Sequence, residues 1–200
     1  MRSEQHTMLS PSHHISRLLV AIVLVGASIV SIAQDKWRVE LRPALHIPIH
    51  EVNGEYVGPG PGLDAGLTYM LSPWLGGHAG VGYGQFNRHG LGDPYYEEIG
   101  GHLGVRFFQP LIGPLQAILG GGTVYHKLAM EQGNGERQAV SDLGFGWQLE
   151  GGISVIFDER WSLTPSVRYR SITRNFDHGD AKERVDLDYV SASVVFALHF

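Results

Sequence analysis

Nine ionisable side chains recur at two-residue spacing in a chain that offers little else for chemistry. Arg38, Glu40 and Arg42 alternate along one segment, Asp64 stands in the next, Glu98 and Arg106 share a third, Glu150 a fourth, and Arg168 and Arg170 a fifth. Opposed charges confined together can pair and hydrogen-bond, whereas an isolated charge in the same space is heavily penalised. The set is therefore expected to act as a space-filling ion-pair network. His78, His102 and His126 would offer three imidazole donors to a metal if neighbouring strands brought them together. The plainer reading, polar filler of that network, is preferred. Glu98 and His102 cannot chelate one ion, because four residues of extended chain hold them about 13 Å apart. Gly80-Val-Gly-Tyr-Gly84 lacks the following helix that a phosphate loop needs. Acidic, glycine-bearing stretches at 131–136 and 177–180 read as solvated loop. No catalytic residue, metal ligand or cofactor is assigned.

Such spacing has meaning only on strands. No useful length of helical period occurs, and 27 Gly with 10 Pro oppose helices. Two-residue alternation instead predicts eight strands, at 36–49, 63–71, 74–86, 95–108, 115–126, 143–157, 161–172 and from about Leu187 to Phe200. In the clearest, Leu143, Phe145, Trp147, Leu149, Ile153, Val155 and Phe157 oppose Gly144, Gly146, Gln148, Glu150, Gly152 and Ser154. The pattern blurs at Ile118 and Val124. Ser72-Pro73, the stretch around Gln109-Pro110 and Ile112-Gly113, and Asp158-Glu159-Arg160 make short links. Segments 50–62, 87–94, 127–142 and 173–186 make long polar ones. Short turns at one rim and long loops at the other is the asymmetry of outer-membrane barrels.

The apolar face must then meet lipid and the charged face a lumen. Gly80, Gly82 and Gly84 share the polar face, as a narrow barrel interior demands. Trp37, Tyr69, Trp74, Tyr83, Tyr95, Tyr125, Trp161 and Tyr169 fall near strand ends, where amphipathic rings sit at headgroup level. An arginine turned to the membrane midplane would cost about 2–4 kcal/mol, so the five arginines face inward. The expected fold is all-β: an eight-stranded antiparallel up-and-down transmembrane β-barrel. Its closing strand, with Phe196, Leu198 and Phe200 on one face, is expected to be fully ordered against the first.

Residues 1–33 are expected to be a signal peptide and 34–200 the barrel domain. A thirteen-residue apolar run at 18–30, too short to span a bilayer, leads to Ser31-Ile32-Ala33 and cleavage before Gln34. The chain carries 15 Lys and Arg against 20 Asp and Glu, with no basic stripe for nucleic acid. Cysteine is absent, which excludes disulfides and thiolate metal sites.

Residues 36–200 resemble the small eight-stranded outer-membrane barrel families: the OmpA transmembrane domain, OmpX and the broad outer membrane protein beta-barrel domain group. The resemblance rests on Gly144-Phe-Gly-Trp-Gln-Leu-Glu-Gly-Gly-Ile-Ser-Val-Ile-Phe157, on the Leu71-Ser-Pro-Trp-Leu75 turn and on the Phe200 end. It implies that Phe196, Leu198 and Phe200 form the signal read by the barrel-assembly machinery. It also implies residence in the bacterial outer membrane among lipid and lipopolysaccharide, after export through the periplasm, with an unknown extracellular ligand. One such barrel hosts several jobs. Lipid A deacylases carry a His and a Ser two residues apart on one strand. Here Val167-Arg-Tyr-Arg-Ser-Ile-Thr173 puts Tyr169 where the base should stand before Ser171, and a serine without a base is unactivated. A non-enzymatic structural or surface-interaction role leads. A narrow porin-like channel or small-solute transporter comes second, and a lipid-modifying enzyme third.

Overall fold

Hydrocarbon offers no hydrogen bonds, so a sheet can lie in it only when its two edges close on each other. The computed structural model describes residues 36–50, 57–88, 95–131, 137–178 and 181–200. The expected signal peptide at 1–33 lies outside the described residues. Ten strand segments follow in chain order: β1 (Trp37–Pro48), β2 (Val57–Gly58), β3 (Gly60–Ser72), β4 (Leu75–Arg88), β5 (Tyr95–Pro110), β6 (Leu115–Glu131), β7 (Arg137–Val140), β8 (Gly144–Ile156), β9 (Trp161–His178) and β10 (Ala181–His199). Every long strand pairs antiparallel with its neighbour in the chain, and β1 pairs with β10 from Arg38↔His199 to Pro48↔Tyr189. The wall is thus a closed barrel of eight strands. β2 and β7 are short additions on β4 and β6.

Alternation decides which side of the wall each residue meets. Leu103, Leu119 and Val81 are 64%, 65% and 62% exposed, while Glu98 and Arg106 are 1% and 3% exposed on the other face. Aromatic rings pair along the outer surface near the strand ends: Trp37 with Tyr69, Trp74 with Phe107, Tyr125 with Phe145, and Trp147 with Tyr169. Phe196 and Leu198 lie on the lipid face of β10, opposite Leu41 and Val39. Phe200 follows the last strand residue.

Three short turns close one rim. Ser72 Oγ accepts from Leu75 N at 3.1 Å. Gly113 adopts φ 60°, a left-handed conformation that favours glycine. Asp158 Oδ1 accepts from Arg160 N and Trp161 N at 2.7 and 2.8 Å. On the opposite rim the strands run further than their alternation does. The expected loop at 173–186 is a ladder that continues to His178↔Ala181, and much of the expected loop at 127–142 is β6 with β7. The reason is physical: beyond the lipid the outer face has no need of apolar side chains, so backbone pairing outlives the hydrophobic pattern. Placing Arg at Leu103, well inside the lipid belt, should cost about 2–4 kcal/mol of stability. Urea unfolding in lipid vesicles measures it, and an unchanged midpoint would contradict the face assignment.

Candidate functional site

Inward positions of all eight barrel strands meet in one hydrogen-bonded layer. Glu150 of β8 lies at its centre. It accepts from Arg42 Nη1 of β1 at 2.8 Å, from Arg168 Nη2 of β9 at 3.2 Å, and from Arg106 Nε of β5. Arg106 continues through Nη1 to Glu40 of β1 and to Thr68 Oγ1 of β3 at 3.1 Å. Thr68 in turn donates to Glu40 at 2.8 Å. Arg106 Nη2 lies 3.2 Å from His78 Nε2 of β4.

Asp64 of β3 carries the layer toward the long-loop rim. Its two oxygens accept from Arg168 Nη1 at 2.8 Å and Arg170 Nη2 at 3.1 Å. Gly82 stands across from Asp64 on β4, and a Cβ there would collide with the Asp64 carboxylate. Arg170 also donates from Nε to Gln148 Oε1 and from Nη1 to Tyr189 Oη, both at 3.0 Å. Tyr189 of β10 donates to Glu98 Oε2 at 2.8 Å, and the other Glu98 oxygen contacts His126 Nδ1 of β6. Eight of the nine charged residues singled out from the sequence therefore lie in one connected set. Arg38 stands apart, its guanidinium 4.2 Å above the centre of the Phe108 ring.

Tyr189, Thr68 and Gln148 were not among those nine. Parity was the signal that could have found them, since Tyr189 falls in step with Ser191 and Ser193. A second feature lay outside sequence reasoning altogether. Beyond the charged layer, Val57, Phe86, Tyr96, Val124, Leu128, Ile172, Leu187 and Tyr189 form a buried apolar cluster inside the barrel. His46 packs on it, 5.7 Å from Phe86 and 5.0 Å from Tyr189 between ring centres. Val57 joins the cluster from β2, so part of the expected first long loop is strand paired with β4 that turns this side chain inward. On the short-turn side a cavity of about 20 Å³ remains, room for about one water.

His78 stacks on His102 at 4.8 Å while His126 is engaged by Glu98, and among the described residues no three His, Asp or Glu form a metal-holding group. Ser171 occupies a lipid-facing position opposite Trp147. Two Ser–His contacts exist, Ser191 with His46 and Ser162 with His199, each at 2.8 Å. Among the described residues neither imidazole is hydrogen-bonded to a carboxylate, so neither pair has the third group that orients a catalytic base.

Removing one member of a buried pair strands the charge of its partners. Arg106→Met should cost about 3–5 kcal/mol. Adding Glu40→Gln should recover part of that loss, read from urea midpoints in vesicles as a double-mutant cycle. A cost near zero would mean that water, not Arg106, satisfies the two carboxylates.

The sequence matches the outer membrane protein beta-barrel domain over residues 18–200. No curated protein matches it. Solved structures of similar fold include Neisserial surface protein A, NspA, at 14% identity and TM-score 0.63, covering 82% of this chain and 97% of that one. OprG, an outer membrane protein from Pseudomonas aeruginosa, aligns at 16% identity and TM-score 0.61, covering 83% and 96%. Ail, the attachment invasion locus protein of Yersinia pestis, solved with the heparin analogue sucrose octasulfate, aligns at 11% identity and TM-score 0.51, covering 84% and 99%. At these identities the likeness is one of fold. With the family match spanning most of the chain, the protein belongs to the outer membrane protein beta-barrel domain family and resides in the bacterial outer membrane.

Proposed function

We propose that the chain is a non-enzymatic outer-membrane barrel with a closed lumen, serving a structural or surface-interaction role. The observation that carries this reading is the two-layer filling of the bore. A hydrogen-bonded, charged layer drawn from all eight strands is backed by an apolar cluster on the long-loop side. Among the described residues the two layers lie in series along the bore. The barrel is then a rigid, lipid-soluble stand for the segments at its long-loop rim, which in this family face outward. Those segments are where a ligand outside the cell would be met. NspA is a surface protein and Ail an attachment invasion locus protein by name, which makes surface interaction the natural class to test here.

Three further parts of the reading rest on the family membership and the N-terminal sequence pattern. Lipid and lipopolysaccharide surround the apolar belt. The barrel-assembly machinery reads Phe196, Leu198 and Phe200 during insertion. Residues 1–33 direct export. In planar-bilayer recordings the purified barrel should give no steady conductance, because the charged layer and the apolar cluster block the same bore in series. Steady large conductance would sink this reading and support the narrow-channel alternative.

A further inference from the structure

The turn between β5 and β6 has a composition that water does not ask for. Residues 110–115 read Pro-Leu-Ile-Gly-Pro-Leu. Ile112, at 86%, is the most exposed large apolar side chain among the described residues, and Leu111 beside it is half exposed. A turn standing in water is normally built from polar residues. The β8–β9 turn obeys that rule with Asp158, Glu159 and Arg160, all exposed.

The short-turn rim therefore has two unlike sides. The turns after β3 and β5 are neighbours, because β4 pairs with β5 from Leu75↔Phe107 and Phe108 N donates to Trp74 O at 2.9 Å. Leu71, Trp74 and Phe107 are about half exposed here, and Trp74 stacks on Phe107 at 6.0 Å. Leu111 follows Leu103, Val105 and Phe107 in step, so the lipid-facing surface continues onto the turn. Gln109 is the polar residue between them, and its Nε2 donates to Pro110 O at 3.3 Å. On the other side, charges separate Phe157 from Trp161.

The backbone of the apolar turn also suits a medium short of water. Pro110 and Pro114 have no N–H to satisfy. Leu111 N donates to Leu115 O at 2.9 Å, and Leu115 N to Ile112 O at 3.3 Å. Pro114 O accepts from Ile156 N at 2.9 Å. Such internal pairing is what a polar backbone needs as it leaves water.

We propose that the β5–β6 turn is a foot embedded in the periplasmic leaflet, with phospholipid as its partner. Leu111 and Ile112 lie at the boundary of headgroups and acyl chains, where amphipathic elements bury their apolar side by ~5–10 Å. This side of the barrel sits deeper than the charged β8–β9 side. The leaflet follows from the short turns, which face the periplasm in barrels of this kind. Continuity with the lipid belt favours lipid over a protein, and a stable protein interface takes about 20–30 residues a side, far more than this turn offers. The inference concerns the outer wall and goes beyond the closed-lumen reading: conduction would sink that reading and leave this one standing.

The test uses the whole barrel in phospholipid vesicles. The chain has no cysteine, so Ile112→Cys and Glu159→Cys each place a single thiol on one side of the same rim. With a charged methanethiosulfonate reagent on both faces of the membrane, the thiol at 112 should react severalfold more slowly than that at 159. The difference should persist as the barrel is diluted with lipid and vanish on unfolding in urea. Labelled with bimane, position 112 should be quenched severalfold more strongly than 159 by lipid brominated near the glycerol end of its chains. Equal thiol reactivity would put the turn in water and overturn the proposal. So would protection lost on dilution, which identifies a second copy as the occupant, or protection without quenching by the brominated lipid. Heat-shifted gel mobility verifies folding; should Ile112→Cys fail it, Leu111→Cys takes its place with the same expected protection.

Discussion

Backbone polarity in hydrocarbon is the constraint from which the rest of this molecule follows. Every N–H and C=O of a membrane-crossing sheet must find a partner within the sheet, which forces β1 onto β10 and abolishes edges. Closure then divides side chains by parity alone. Odd and even positions cannot trade places without slipping a whole strand, so lipid selects one set and the bore the other. Composition follows from that division rather than causing it. The near-neutral mean hydropathy of −0.06 is the average of two opposed faces.

A bore this narrow has to be filled, and the filling is layered. Arginines and carboxylates occupy the middle, where each charge can reach an opposite one across the lumen. Apolar side chains, Val57 of β2 among them, occupy the long-loop end, and hydroxyls beside a small cavity occupy the short-turn end. Buried ion pairs are weak evidence of stability, since desolvation offsets much of the Coulomb gain. What they supply here is mutual dependence. Glu150 is shared by three arginines and Asp64 by two, so no member can leave without stranding others. A structural stand for outward-facing segments gains from such rigidity, and a conduit would not.

The strands and their faces were legible because lipid enforces a period of two. Glu150, Arg168 and Arg170 could be placed in the lumen from spacing alone. Their partners could not, because Arg42 reaches Glu150 across 108 residues and Arg168 reaches Asp64 across 104. Such contacts depend on strand tilt and bore width, which no local pattern encodes. Arg38 shares the parity of the network, yet Phe108 captures it. The ladder of β9 with β10 past Thr173 was illegible for the opposite reason: outside the bilayer both faces are polar and the period vanishes. The inner apolar cluster looked like noise, with Val124 breaking an otherwise clean alternation, and Ile118, which lines the short-turn cavity, blurred the same strand.

The central claim, that apolar alternate positions face lipid around a filled polar bore, is most directly tested with the four native tryptophans. Trp74, Trp147 and Trp161 are about half exposed on the outer surface, and Trp37 packs at a tilt against Tyr69. In vesicles of brominated lipid their fluorescence should be strongly quenched, while aqueous iodide should have little effect. Strong quenching by iodide with none from the brominated chains would put the apolar face inside a water-soluble barrel and contradict the account.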